Sequence, residues 1–194
     1  LVTGVQTCAL PIYDNYIYYI APKHLTDIAR HISHRYVRFI ARRADIITGP
    51  SPKCIEYLQR AGVNRKVNVI PNSVELECYE ENAAVHEKML EIRDRYRIPH
   101  DAFVACFCGR LGKEKGIDDL IELWKKNINV TRDMYLMIIG NGPYREALEG
   151  QAFKAGLIEH VIFTGAILHD ELPPYYAACD AYATASLSDT YSIS

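Results

Sequence analysis

Phe107-Cys108-Gly109-Arg110-Leu111-Gly112-Lys113-Glu114-Lys115-Gly116 joins a strand to a helix and sets glycines and cations at the junction. The run leading into it, Ala102-Phe103-Val104-Ala105-Cys106-Phe107, is continuously apolar, as expected of a strand buried on both faces of a parallel sheet. Beyond it, Ile117, Leu120, Ile121 and Trp124 recur at helical spacing. Glycine lets backbone pass close to a ligand, a helix start offers unpaired N–H groups, and Arg110 and Lys115 supply positive charge, so the segment reads as an anion site. The plainer reading of the same residues is a strand-to-helix turn with solvated charges.

Working outward, helical patterns alternate with short apolar strands, which predicts a doubly wound α/β architecture. On the C-terminal side come strands at Tyr135–Ile139, Val161–Gly165 and Ala181–Thr184, with helices between Pro143 and Gly156 and from Asp170 to Cys179. Glycines at or just past the strand ends, among them Gly140 and Gly142 around Asn141, fall at the edge where open α/β sheets bind ligands. On the N-terminal side, Tyr13–Ile20 is rich in aromatics. A basic helix follows from Lys23 to Arg43, with Leu25, Ile28, Ala29, Ile32, Tyr36, Phe39 and Ile40 on its apolar face. Strands are expected at Ala44–Thr48 and Val67–Ile70. Between them a helix starts at Ser51-Pro52 and stops at Gly62. A charged helix from about Glu80 to Arg97 ends before Pro99.

Composition bounds the function. The 194 residues suffice for one large domain or parts of two, and a net charge of −2 gives no support to nucleic-acid binding. No run of eighteen apolar residues is present, so nothing in the sequence reads as a membrane span. The six cysteines include no C-x-x-C pair; Cys106 and Cys108 share one face of a buried strand and read as structural thiols in a reducing compartment.

The order Gly109-Arg110-Leu111-x-x-Glu114-Lys115-Gly116, Ile139-Gly140-Asn141-Gly142-Pro143, Val161-x-Phe163-x-Gly165 and Ser188-Asp189-Thr190 resembles the C-terminal domain of family 4 glycosyltransferases of GT-B type. Ala44-Asp45-Ile46-Ile47, Pro50-Ser51 and Val69-Ile70-Pro71-Asn72-Ser73-Val74-Glu75 resemble the end of that family's N-terminal domain. Tyr13–Ile20 and the basic helix are most similar to the branch that glucosylates diacylglycerol. The resemblance implies two Rossmann-like domains, both incomplete. Residues 13–76 would close the acceptor domain, and residues 77–194 would form a truncated nucleotide-sugar domain. Residues 1–12 resemble a translated sequencing adapter and are expected to be disordered, and the chain reads as a fragment truncated at both ends.

By position, the resemblance gives Gly109, Arg110 and Lys115 the donor phosphate, and Gly140, Asn141, Gly142 and Ile167 the nucleotide. Asp189, with Thr190, Tyr191 and Ser192, would receive the donor sugar. Asp189 stands where most members have Glu as the first acid of an E-x7-E motif; the second acid would fall beyond Ser194, and a His-Thr pair would fall at Leu10 and Pro11. The implied activity is retaining transfer of a hexose, glucose, from a UDP-sugar to a diacylglycerol-type lipid. It would need no metal and no cofactor, and the fragment itself is expected to be inactive. Alternatives are a family 4 transferase acting on a polysaccharide or cell-wall intermediate, or a nucleotide-binding remnant. Arg35, Arg38 and Arg42 on the basic helix would meet an anionic membrane, making the enzyme cytoplasmic and peripheral on the inner face. The plainer reading of that helix is a solvated basic face.

Overall fold

A computed structural model describes residues 24–71, 73, 77–80, 82–127 and 133–186. The expectations for residues 1–12 and for Tyr13–Ile20 lie outside these. The described residues fall into two compact units, one running to residue 73 and the other starting at residue 77.

The first unit begins with α1 (Thr26–Arg43), followed by β1 (Ile47–Gly49), α2 (Lys53–Arg60) and β2 (Val67–Val69). β1 and β2 pair in parallel, Ile47 opposite Val67, as a β-α-β unit requires. Its core is Val37, Ala41, Tyr57, Leu58, Ala61 and Val63. This corrects the expected packing face of α1. Thr26, Val37 and Ala41 are buried, while Leu25, Ile28, Ile32, Tyr36 and Phe39 lie exposed. Val37 and Ala41 meet Tyr57 and Leu58 of α2 in this core, and the bulkier stripe faces away. The end of α1 is closed by a distant residue, Arg65, whose Nη1 donates to the carbonyls of Ala41 (2.7 Å) and Ala44 and whose Nη2 donates to that of Asp45 (3.2 Å). The carbonyls of Ala41 and of the cap residue Ala44 are among those the helix itself leaves without partners.

The second unit holds a four-stranded, fully parallel sheet. Its elements are α3 (Ala83–Arg95), β3 (Phe103–Cys108), α4 (Ile117–Asn127), β4 (Met134–Ile139), α5 (Arg145–Lys154), β5 (Val161–Gly165), α6 (Leu172–Ala177) and β6 (Ala181–Tyr182). The strands lie in the order β5-β4-β3-β6. The continuous apolar run of β3 has the expected cause. Ala105 and Phe107 enter a core covered by α4 and α5, while Val104 and Cys106 enter a second core covered by α3 and α6. Alternate side chains thus serve opposite layers, and each layer needs its own apolar residue.

Helix ends shift inward from the sequence expectations for local reasons. α3 starts at Ala83 because the Asn82 side chain accepts the Val85 N–H at 3.0 Å. α6 is short, preceded by a 3₁₀ turn at His169–Glu171, because Pro173 and Pro174 fit only a first helical turn. Three helices end alike: Gly62, Arg97 and Gly156 take φ of 80°, 56° and 71°, and the next residue donates back across the turn, Val63 to Leu58, Ile98 to Arg93 and Leu157 to Ala152. Arg97 alone does this with a side chain. Arg97→Gly is therefore expected to raise stability by about 1 kcal/mol, read as a higher urea midpoint at unchanged slope. An unchanged or lower midpoint would show that the Arg97 side chain repays its backbone cost.

Candidate functional site

The chain runs β3 to β4 to β5 on one side and then returns to lay β6 against the other side of β3. The order therefore reverses at β3. In open α/β sheets the crevice for a ligand opens past the carboxyl end at this reversal, and here that position belongs to residues 109–116.

Three strand ends are drawn together there by backbone alone. The Gly109 N–H donates to the Ile139 carbonyl at 2.9 Å, Leu111 N–H to Asn141 at 3.0 Å and Tyr144 N–H to Leu111 at 3.0 Å. Gly140 N–H donates to the Gly165 carbonyl at 2.8 Å, tying β5 to the same knot. Glycine is required at two of these positions. A Cβ on Gly140 would overlap the Gly109 carbonyl, and one on Gly142 would overlap that of Leu111. The exposed Asn141 side chain accepts the Gly142 N–H at 2.8 Å. The segment Gly140-Asn141-Gly142 therefore supports the β3 loop from below.

On that support, residues 113–115 form a single 3₁₀ turn before α4. Arg110 is exposed, Lys115 half-buried and Glu114 buried, with Arg110 Nη2 paired to Glu114 Oε1. The sequence reading singled out the two cations and left Glu114 without a role. Across the crevice, the chain leaving β6 passes close to the start of α4: a Cβ on Gly116 would lie 2.5 Å from the Ala185 carbonyl oxygen. Asp189, Thr190, Tyr191 and Ser192 continue this chain and lie outside the described residues.

Ile167, beyond β5, is half-buried and packs against the core shared with α3 and α6. Its side chain has the core-filling role, whatever its backbone does. Cys108, the last residue of β3, and Cys106 face that same core with Cys179 and are free thiols. Burial, reinforced by a hydrogen bond to Cys108, pushes the Tyr176 hydroxyl well above the ordinary tyrosine range. The hydrogen bond between Cys179 and Cys106, with burial second, pushes the Cys179 thiol up, and the same hydrogen bond draws that of Cys106 down against the opposing effect of burial. Together these residues pack in one layer against the sheet.

In the first unit, Arg35 and Arg42 are exposed but Arg38 is half-buried, its Cδ and Nη1 beside Gly62. This corrects the expected basic face: Arg38 turns inward and covers the end of α2. The outward surface of α1 instead combines Arg35, Arg42 and Arg43 with the exposed apolar stripe, and Arg43 stacks over the Phe39 ring at 3.7 Å. No helix among the described residues is long and apolar enough to cross a membrane.

A parallel sheet covered on both faces, with glycine-supported cations at its reversal point, is a partial Rossmann-like unit of GT-B type. Residues 88–194 match the family model of the glycosyl transferases group 1, and the chain belongs to that family. It is 29% identical over 178 residues to an alpha-monoglucosyldiacylglycerol synthase of Streptococcus pneumoniae, a match covering 92% of this chain and 40% of that protein. It is also 29% identical over 153 residues to a GDP-mannose-dependent alpha-(1-6)-phosphatidylinositol monomannoside mannosyltransferase of Mycobacterium tuberculosis, covering 78% and 39%. Among solved structures, HepE of Anabaena in complex with UDP-glucose superposes with a TM-score of 0.69 at 22% identity, over 80% of this chain and 42% of that one. The chain thus spans about 40% of the length of these relatives.

Proposed function

We propose that the full-length protein is a retaining, metal-independent glycosyltransferase that moves glucose from UDP-glucose to a diacylglycerol-type lipid. The observation that carries the reading is the pair Arg110 and Lys115, held on a glycine-supported loop at the point where the strand order reverses. When UDP leaves the anomeric carbon, negative charge grows on its β-phosphate, and fixed cations in a narrow cleft stabilise that charge without reorganising. In this reading Gly109 lets the diphosphate approach the backbone, Gly140-Asn141-Gly142 hold the loop at its working height, and Ile167 presents its backbone to the base. Asp189 receives the sugar hydroxyls and the amides of Thr190, Tyr191 and Ser192 complete the contact. Likeness to a protein named as an alpha-monoglucosyldiacylglycerol synthase supports the glucosyl group and the lipid acceptor. Likeness to a GDP-mannose-dependent enzyme favours a second reading, mannosyl transfer to an inositol lipid. Incubating the full-length protein with diacylglycerol or phosphatidylinositol and each donor decides between them. Glucosyl-diacylglycerol from UDP-glucose is the expected product; transfer from GDP-mannose alone would overturn the assignment.

The same reading places the enzyme on the cytoplasmic face of a membrane, with α1 lying in the interface. Exposed cations near an anionic surface contribute about 1 kcal/mol each, and an apolar stripe beside them adds burial into the headgroup layer. Replacing Arg35 and Arg42 together with Gln is expected to weaken binding to anionic vesicles by roughly 30-fold at low salt, leaving UDP affinity unchanged. Arg38→Gln should have little effect on vesicles because Arg38 faces Gly62. Vesicle binding indifferent to both the double change and added salt would return α1 to a solvated basic helix.

A further inference from the structure

We infer that Glu114 is a positioning residue for the phosphate clamp, and that Gly112 is the device that seats it. The inference rests on the reading of Arg110 as a phosphate ligand and deepens it.

Three observations converge. First, Glu114 is a carboxylate only 6% exposed, in a loop whose neighbours Lys113 and Arg110 are open to water. An anion taken out of water has to be matched by a cation, and Arg110 Nη2 supplies one to Glu114 Oε1. Second, the pair is asymmetric: the side chain of Arg110 is 51% exposed against 7% for Glu114. The carboxylate is the fixed partner and the guanidinium the presented one, so the pair orients the plane of a fork that carries five donors in all.

Third, the space Glu114 occupies exists because residue 112 has no side chain. A Cβ on Gly112 would overlap both carboxylate oxygens of Glu114. Nothing in the backbone calls for glycine there, since Gly112 has φ −107° and ψ 155°, a conformation open to any residue. The atoms nearest the missing Cβ are all of the Glu114 carboxylate, so the absent side chain serves that group. An alanine at 112 would leave the loop backbone in place and push the end of the Glu114 side chain out of its seat, turning the Arg110 fork with it.

The clamp would then be more than two cations. Glu114 fixes the angle at which Arg110 meets a diphosphate, so that the guanidinium is oriented before the donor arrives and loses little freedom when it binds.

The test is a double-mutant cycle in the full-length protein, with UDP as the calorimetric probe and melting temperature followed in parallel. Glu114→Gln and Gly112→Ala are each expected to weaken UDP about tenfold, within the coupling range of residues that share an ion pair. In an Arg110→Ala background Glu114→Gln should change UDP affinity no further, because the residue through which it acts is gone. The KM for the nucleotide sugar should rise with the UDP dissociation constant, while that for the acceptor stays put; a general loss of structure would move both. Gly112→Ala keeps the proposal testable if Glu114→Gln does not fold. Equal or tighter UDP binding by Glu114→Gln would make Glu114 a competitor for the guanidinium and overturn the inference, as would an undiminished loss in the Arg110→Ala background. If Arg110→Ala itself leaves UDP affinity intact, the clamp reading fails; if it weakens UDP while Glu114→Gln and Gly112→Ala do not, only the inference fails.

Discussion

Arg110→Ala and Lys115→Ala in the full-length protein are each expected to lower sugar transfer by ~100-fold or more and to weaken UDP binding. In the proposed reading the effect is large because the charge stands where the reaction creates its opposite. β3 ends at Cys108, the loop turns at once, and Arg110 follows within two residues, so its backbone stands just past the carboxyl edge of the sheet. Lys115 follows on the 3₁₀ turn that leads into α4. Alanine at either position removes charge that solvent would have to replace, at the cost of ordering water and opening the cleft. Arg110→Lys is informative too: it keeps the charge but loses the fork, and should recover only part of the activity. Near-normal kinetics in both alanine variants would remove the site from residues 109–116.

The strands of the second unit were legible because burial on both faces leaves no choice of residue. Val104 to Phe107, Leu136 to Ile139 and Val161-Ile162 can only be apolar when two cores lie on either side of the sheet. The glycines were legible as strand-end markers, although the reason for Gly140 and Gly142, carbonyls pressed against them, is a fact of tertiary packing. Side-chain hydropathy misled at α1. The largest apolar residues, Ile28, Ile32 and Phe39, mark the exposed side, and the buried side is recognisable only once Val37 and Ala41 are seen against Tyr57 and Leu58. Contacts between residues far apart in sequence left no local signal: Arg65 closing α1 reads as one more surface cation. Glu114 sat inside a motif already quoted, but its burial depends on what is missing from Gly112. Asp189 to Ser192 lie outside the described residues, so the sugar end of the site rests on sequence alone.

Arg93 carries the second large expectation. It lies on α3 with its side chain 7% exposed, where a lone arginine would be expelled. It is retained because its donors meet fixed acceptors on several elements. Nε donates to the Ala178 carbonyl at the end of α6 at 3.1 Å; Nη1 donates to the carbonyls of His100 and Ala102, in the turn before β3, at 2.9 and 3.0 Å. Nη2 reaches Asp180 Oδ2 at 3.3 Å, and the same oxygen accepts the Val104 N–H at 2.7 Å. One guanidinium therefore fastens the start of β6 to β3 while holding α3 against α6. The ion pair with Asp180 is not the main term, since that carboxylate is 45% exposed and screened by water. The backbone carbonyls are, because each buried acceptor left unpaired costs about 1–3 kcal/mol. Arg93→Met, which keeps the bulk and removes the donors, is expected to destabilise the unit by roughly 3–5 kcal/mol, a large share of what holds an ordinary domain folded. A drop in the urea midpoint of that size, with Arg93→Lys intermediate because one ammonium cannot span the same acceptors, is the expected result. An Arg93→Met midpoint within about 0.5 kcal/mol of the unchanged protein would mean that the carbonyls find other donors, and that β6 is held to β3 by its own short ladder.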